Sequence, residues 1–335
     1  MDASLFKDFR VSRGFNYHYF YAPAQGTKPT LFFLHGNPST ATDWERIVPY
    51  FTKKGYGALV PDMLGYGDTD KPTEAEQYVS SAMCRNLVDL LDHEGLDKVI
   101  AVGHDWGCLS VSRLASYYPE RITAYAFLAV CFIGPVPPIP FEAFLAYTKQ
   151  QAGYELYGYW SFYSEPGLDQ FVREHMDTFL SILWPSDPTV WKTRLAPTGA
   201  LKQSALEGWS APLAPYITEE HKKHHVEVFL KNGFEAPANY YRIMTSGLEA
   251  KDDQQIPAER AVPPKEAPIF WGAASKDYIC IPAAGYAAFK KEEFKDHKVT
   301  IKEYDADHWL ILSHADQICR DLDAWIEGFT PESKL

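Results

Sequence analysis

Short, wholly apolar runs alternate with amphipathic stretches through the first third of the chain, and this alternation narrows the fold more than any other feature. Strands are expected over residues 30–34, 57–61, 98–102 and 122–130, and helices over 43–53, 79–93 and 109–118. In the second helix Val79, Met83, Leu87, Leu90 and Leu91 recur at helical spacing, with Asp89, Asp92 and Glu94 off that stripe. Strands that are apolar throughout need cover on both faces, which the intervening helices can supply. The pattern therefore predicts an α/β fold with a mostly parallel sheet. Ahead of it, the period-two aromatics of residues 15–21, after the Arg13-Gly14 turn, predict an antiparallel hairpin.

From about Phe132 to Pro263 the alternation stops. The segment opens with Gly134-Pro135-Val136-Pro137-Pro138-Ile139-Pro140 and continues in a helical pattern dense in Tyr, Trp and Phe. Strand character returns at 267–271 and 299–304, with helices near 283–294 and 317–329. A chain of 335 residues can hold one large core and an accessory domain. The expected division is a core of 1–131 and 264–335, with 132–263 as a helical cap over the C-terminal ends of the strands, where open α/β sheets bind ligands.

Of the 21 glycines only Gly103 and Gly107 lie four apart, and they enclose His104-Asp105-Trp106 between an apolar strand and a helix. A G-x-Nu-x-G elbow needs small flanking residues because the strand-to-helix turn is sharp, and it lifts the central side chain above the sheet edge. Here that side chain is a carboxylate. Attack by serine on a saturated carbon would leave an ether that water cannot readily cleave, whereas attack by Asp105 leaves a hydrolysable ester. With an ordinary pKa of ~3.9, Asp105 needs no base to become a nucleophile. The plainer alternative is that Asp105 only caps the helix that follows.

The supporting residues are sought by chain order. His35-Gly36-Asn37-Pro38 follows the strand ending at 34 and can supply one oxyanion donor, the backbone N–H of Asn37; the second is the N–H of Trp106. An acid and then a histidine are expected at later strand ends. Asp277 and His308 fit, with Asp305 and Asp307 as local competitors for the acid.

With HGNP at 35–38, DMLGYGDTDKP at 62–72, GHDWG at 103–107, the loop around Asp277 and DHW at 307–309, residues 15–330 resemble the soluble epoxide hydrolases of the α/β-hydrolase fold, a branch that also contains the haloalkane dehalogenases. The resemblance implies an eight-stranded sheet with helices on both faces, an inserted cap, and no cofactor or metal. It implies Asp105 as nucleophile, His308 as general base and Asp277 as the residue orienting it. Epoxide hydrolases also carry two cap tyrosines that bind the epoxide oxygen. Their segments resemble Tyr154-Glu155-Leu156-Tyr157 and Asn239-Tyr240-Tyr241-Arg242, which assigns Tyr154 and Tyr241. His35, Pro38, Tyr157, Tyr240 and Trp309 are then expected to line the substrate site. One departure is Asn37, where epoxide hydrolases more often have an apolar residue. Dehalogenases hold the halide with an amide there and an indole at the position of Trp106, so dehalogenation is the alternative activity. A scaffold that only binds a small apolar ligand is a third reading.

A net charge of −12 argues against nucleic acid or an anionic membrane as partner, because both select basic surfaces. The partners expected are a small apolar epoxide and water. No run is long and apolar enough for a membrane span, and the first residues lack a secretory leader pattern. Ser333-Lys334-Leu335 matches the tripeptide read by the peroxisomal import receptor, so a peroxisomal location, with a possible cytosolic share, is expected. Cys84, Cys108, Cys131, Cys280 and Cys319 are scattered and read as free thiols. His221, His224 and His225, beside Glu219 and Glu220, have helical metal-ligand spacing but read as a solvated helix face.

Overall fold

The computed structural model describes residues 1–330, so Ser333, Lys334 and Leu335 lie outside the described residues. Eight strands form one sheet: β1 (Phe6–Arg10), β2 (Asn16–Ala22), β3 (Thr30–Leu34), β4 (Gly57–Pro61), β5 (Val99–His104), β6 (Ile122–Leu128), β7 (Ile269–Ala274) and β8 (Val299–Tyr304), in the order β1-β2-β4-β3-β5-β6-β7-β8. The β1–β2 hairpin and the β2–β4 pairing are antiparallel, and every other pairing is parallel. Every residue of β3, β4, β5 and β7 is buried, as their uninterrupted apolar sequences require. The chain passes from β3 to one neighbour, β4, and then back across it to the other, β5. Such a reversal of strand order opens a crevice beyond the strand ends, and Leu34 pairs with Gly103 there.

The helices before the insertion are α1 (Val48–Lys53), α2 (Ser80–His93) and α3 (Trp106–Tyr117). Between β6 and β7 run α4 (Phe141–Ala152), α5 (Tyr159–Tyr163), α6 (Leu168–Glu174), α7 (Met176–Leu183), α8 (Ala200–Leu206), α9 (Glu219–Asn232), α10 (Asn239–Thr245) and α11 (Leu248–Asp253). After β7 come α12 (Pro282–Phe289), α13 (Leu310–Ser313) and α14 (Ala315–Glu327). Met83, Leu87, Leu90 and Leu91 of α2 are buried as the stripe requires, but so is Asp89, because Ser12 and Arg85 satisfy its carboxylate. The helix expected over 43–53 is instead a 3-10 turn, Ala41–Trp44, followed by α1, with Pro49 in the first turn of α1. That break turns Asp43 inward.

Both ends of the insertion are tied to α3. The buried Arg113 guanidinium binds Asp253 through two hydrogen bonds of 2.7 and 2.6 Å, donates to the carbonyls of Ile133 and Gly134 at 2.6 and 3.2 Å, and lies 3.6 Å from Glu249. Burial pushes the Glu249 carboxyl up to about 7 despite that neighbour. Arg113→Ala would leave two buried acids without their cation, so a stability loss of ~3–5 kcal/mol is expected in urea unfolding. A loss below ~1 kcal/mol would contradict this account of the anchorage.

Candidate active site

The elbow at the end of β5 holds Asp105 at φ 53° and ψ −125°, a conformation unfavourable for a side chain with a Cβ. Crowding shows why glycine flanks it: a Cβ on Gly107 would strike the Leu34 carbonyl, and one on Gly36 would strike the Asp105 carboxylate. The β3 turn therefore packs directly on the elbow. The Asn37 N–H donates to Asp105 Oδ1 at 2.7 Å. Trp106 opens α3, so its N–H has no acceptor within the helix, and the helix dipole favours the neighbouring anion.

His308 lies beyond β8, with Nε2 3.3 Å from Asp105 Oδ2 and Nδ1 2.7 Å from Asp277 Oδ2. The N–H groups of Ile279 and Cys280, both at 2.9 Å, fix the other Asp277 oxygen. The competing acids are spoken for: Asp305 pairs with Lys276, and Asp307 accepts from Tyr216 at 2.6 Å. Burial alone would push His308 down, but Asp277 and then Asp105 outweigh it, holding the imidazolium well above the ordinary histidine range. Burial would likewise raise Asp105, but its hydrogen bond and charge interaction with His308 keep its carboxyl low. His104, overlooked although it lies inside the elbow motif, is pushed down to about 4 by burial and is neutral. Its Nε2–H donates to the His308 carbonyl at 2.8 Å and steadies the loop.

Asp105, His308, Asn37, Pro38, Tyr241 and Trp309 line one cavity, together with Tyr159, Tyr163, Trp191 and an apolar wall that includes Phe179, Ile182 and Leu195. Asn37 bridges two phenols. Tyr66 donates to its Oδ1 at 3.0 Å, which leaves its amide nitrogen to donate to the Tyr241 oxygen at 2.7 Å. The hydroxyl proton of Tyr241 is then free to serve something in the cavity. Burial first, then Tyr163 and Asp105, hold that phenol well above its ordinary pKa, so it stays protonated.

Four residues whose side chains are expected to touch substrate, Tyr154, Tyr157, Tyr240 and His35, are not in the cavity lining. Tyr154 donates instead to the Tyr278 carbonyl at 2.7 Å, because it precedes α5 on a non-helical segment. Tyr159, which opens α5, takes the place given to Tyr154; α5 packs on α10, and the rings of Tyr159 and Tyr241 are 5.9 Å apart. Tyr157 packs between Phe144 and Trp160. Tyr240 donates to the Leu64 carbonyl at 3.1 Å. His35 accepts from the Met63 N–H and donates to the Gly36 carbonyl, both at 2.9 Å, so it shapes the turn rather than the pocket. Tyr159 was missed because the direction of a tyrosine cannot be read from a dense aromatic run, and Tyr66 and His104 because their roles rest on hydrogen bonds to Asn37 and the His308 carbonyl, distant in sequence. All five cysteines are free thiols, as expected.

The profile of the alpha/beta hydrolase fold family matches residues 29–315. Epoxide hydrolase 2 of Siraitia grosvenorii is 31% identical over 238 residues, covering 69% of this chain and 70% of that protein. Bifunctional epoxide hydrolase 2 of Mus musculus is 30% identical over 221 residues, or 65% of this chain, which spans only 38% of that longer protein. In three dimensions a Vigna radiata epoxide hydrolase mutant matches at TM-score 0.75 and 21% identity, covering 97% of this chain and 98% of its own. Epoxide hydrolase A from Mycobacterium thermoresistibile matches at TM-score 0.73 and 25% identity, covering 96% and 98%. The chain belongs to the alpha/beta hydrolase fold family, in the branch that holds the epoxide hydrolases.

Proposed function

We propose that the protein hydrolyses an apolar epoxide to a vicinal diol through a covalent ester on Asp105, with residues 132–263 acting as a cap that carries the acid. The observation that carries this reading is the Tyr66–Asn37–Tyr241 chain, which leaves a protonated phenol with its hydrogen free in the same cavity as an ionised carboxylate. Saturated-carbon attack needs the carboxylate; only an alkoxide leaving group needs the phenol.

Asp105 Oδ2 attacks one epoxide carbon and the ring C–O bond breaks. The departing oxygen is hydrogen-bonded by Tyr241 and Tyr159 and takes a proton from one of them. Esterification neutralises Asp105, removing one of the two anions that hold the His308 proton, and the proton His308 sheds restores the tyrosine. Neutral His308 then deprotonates a water whose oxygen attacks Cγ of the ester. Negative charge gathers on Oδ1, beside the N–H groups of Asn37 and Trp106, each such donor contributing ~3–4 kcal/mol. Collapse breaks the Cγ–Oδ2 bond, and the departing alkoxide takes the remaining proton of the added water from the new Cγ hydroxyl, which releases the diol and regenerates the carboxylate and the imidazolium.

Dehalogenation is less well supported, because the Asn37 amide positions the phenol of Tyr241, an acid for which a departing halide has no use. The two activities separate in one assay. With an aryl epoxide and a chloroalkane offered in parallel, diol without free halide is expected, and halide without diol would overturn the proposal. Asn37→Leu, which removes the bridge yet keeps the backbone donor, should slow epoxide opening by roughly tenfold, the scale of one neutral hydrogen bond; in a dehalogenase it would abolish halide release.

A further inference from the structure

We propose that Asp43, His221 and His225 form a binding site for a divalent transition-metal ion of the zinc or cobalt class, which clips the helical insertion to the sheet. His221 and His225 lie one helical turn apart on α9, and Asp43 projects from the 3-10 turn after β3. The three donor atoms converge. His225 Nε2 is 2.9 Å from Asp43 Oδ1 and 3.1 Å from His221 Nε2, which is itself 3.7 Å from Asp43 Oδ1. Metal–nitrogen bonds of ~2.0–2.1 Å in a tetrahedral site place neighbouring donors ~3.3–3.4 Å apart, within the range of these separations.

The surroundings suit such an ion. Trp184 packs edge-on against both imidazoles, at 5.4 and 5.1 Å, and Ser39 donates to the second Asp43 oxygen, orienting the carboxylate from behind. Two imidazoles and one carboxylate match zinc, cobalt or nickel; calcium and magnesium would want a fuller set of oxygens. The Asp43 and His225 side chains are 2% and 1% exposed, whereas His221, at 16%, opens the fourth position to solvent. Of the three histidines only His224 is exposed, with Glu219 and Glu220, as a solvated helix face requires.

Protons fill the cluster less well than a cation does. If both rings carry Nε2–H, two donors crowd each other at 3.1 Å in front of one oxygen. If only one does, the other ring turns a bare Nε2 lone pair toward the Asp43 carboxylate. Both Nδ1 atoms lack an acceptor among the described residues in every arrangement, the metal-bound one included, so they do not discriminate. The competing state is a protonated histidine paired with Asp43.

The test uses the whole chain stripped with a chelator and titrated with Co2+. A single Co2+ with visible d–d bands, displaced by Zn2+, is expected, along with a Zn2+-dependent rise of several degrees in melting temperature. His224→Ala should keep both responses and His221→Ala should lose both; His221 is the partly exposed ligand, so its removal is tolerable to folding, which circular dichroism would check. Absence of bands and of any melting shift in the stripped wild type would establish a histidine–carboxylate pair only. Bands that survive in His221→Ala would place the ion elsewhere, and either result overturns the proposal. Neither readout depends on epoxide turnover, so failure here leaves the proposed function untouched.

Discussion

Replacing His308 with Gln is expected to stop turnover while leaving the first covalent step in place, so that the protein accumulates a mass increase equal to one whole epoxide. The expectation follows from the division of labour around Asp105. Its carboxyl is held low in the resting site and needs no base to attack, whereas the ester it forms cannot be cleaved without deprotonating water. Loss of general-base catalysis should slow ester hydrolysis by ~10²–10⁴-fold. Gln also removes the imidazolium that offsets the burial of Asp105, so the adduct is best sought at mildly alkaline pH, where the carboxylate remains ionised. Intact mass spectrometry, followed by mapping of the peptide containing Asp105, reads the outcome. Turnover lost with no adduct would mean that His308 is required before the ester forms.

The second large effect separates two tyrosines that the sequence does not distinguish. Tyr159→Phe should reduce epoxide opening by ~10²-fold, the scale of removing one donor to a developing oxyanion, and Tyr241→Phe should do the same. Tyr154→Phe should change the rate by less than about twofold, since the Tyr154 hydroxyl is spent on the carbonyl of Tyr278, and neither residue lines the cavity. Pre-steady-state fluorescence of the nearby tryptophans can follow the opening step directly. A severe Tyr154→Phe defect with a silent Tyr159→Phe would reverse the assignment.

That reversal of roles marks where sequence stops being informative. The alternation of buried strands and helices is written in the order of apolar residues, and the strand-end positions of Asp105, Asp277 and His308 follow from it because each must reach one crevice. Within 154–163, by contrast, four tyrosines lie close together, and which of them faces the cavity depends on where α5 begins. The same limit applies to α9. His221, His224 and His225 read as a solvated face until Asp43, 178 residues before His221, is seen turned inward against two of them. Asn37 was legible as a departure, but its meaning depended on Tyr66 and Tyr241, the two phenols that its amide joins.

The central claim is that the substrate becomes bonded to Asp105 and that water attacks the enzyme's carboxyl rather than the epoxide. A single turnover in H2 18O, with protein in excess over an aryl epoxide, tests it most directly. The new oxygen of the diol should come from Asp105 and be unlabelled, while the Asp105 peptide gains one 18O atom. An 18O atom in the diol after that first turnover, with the Asp105 peptide unlabelled, would show direct attack by water and contradict the account.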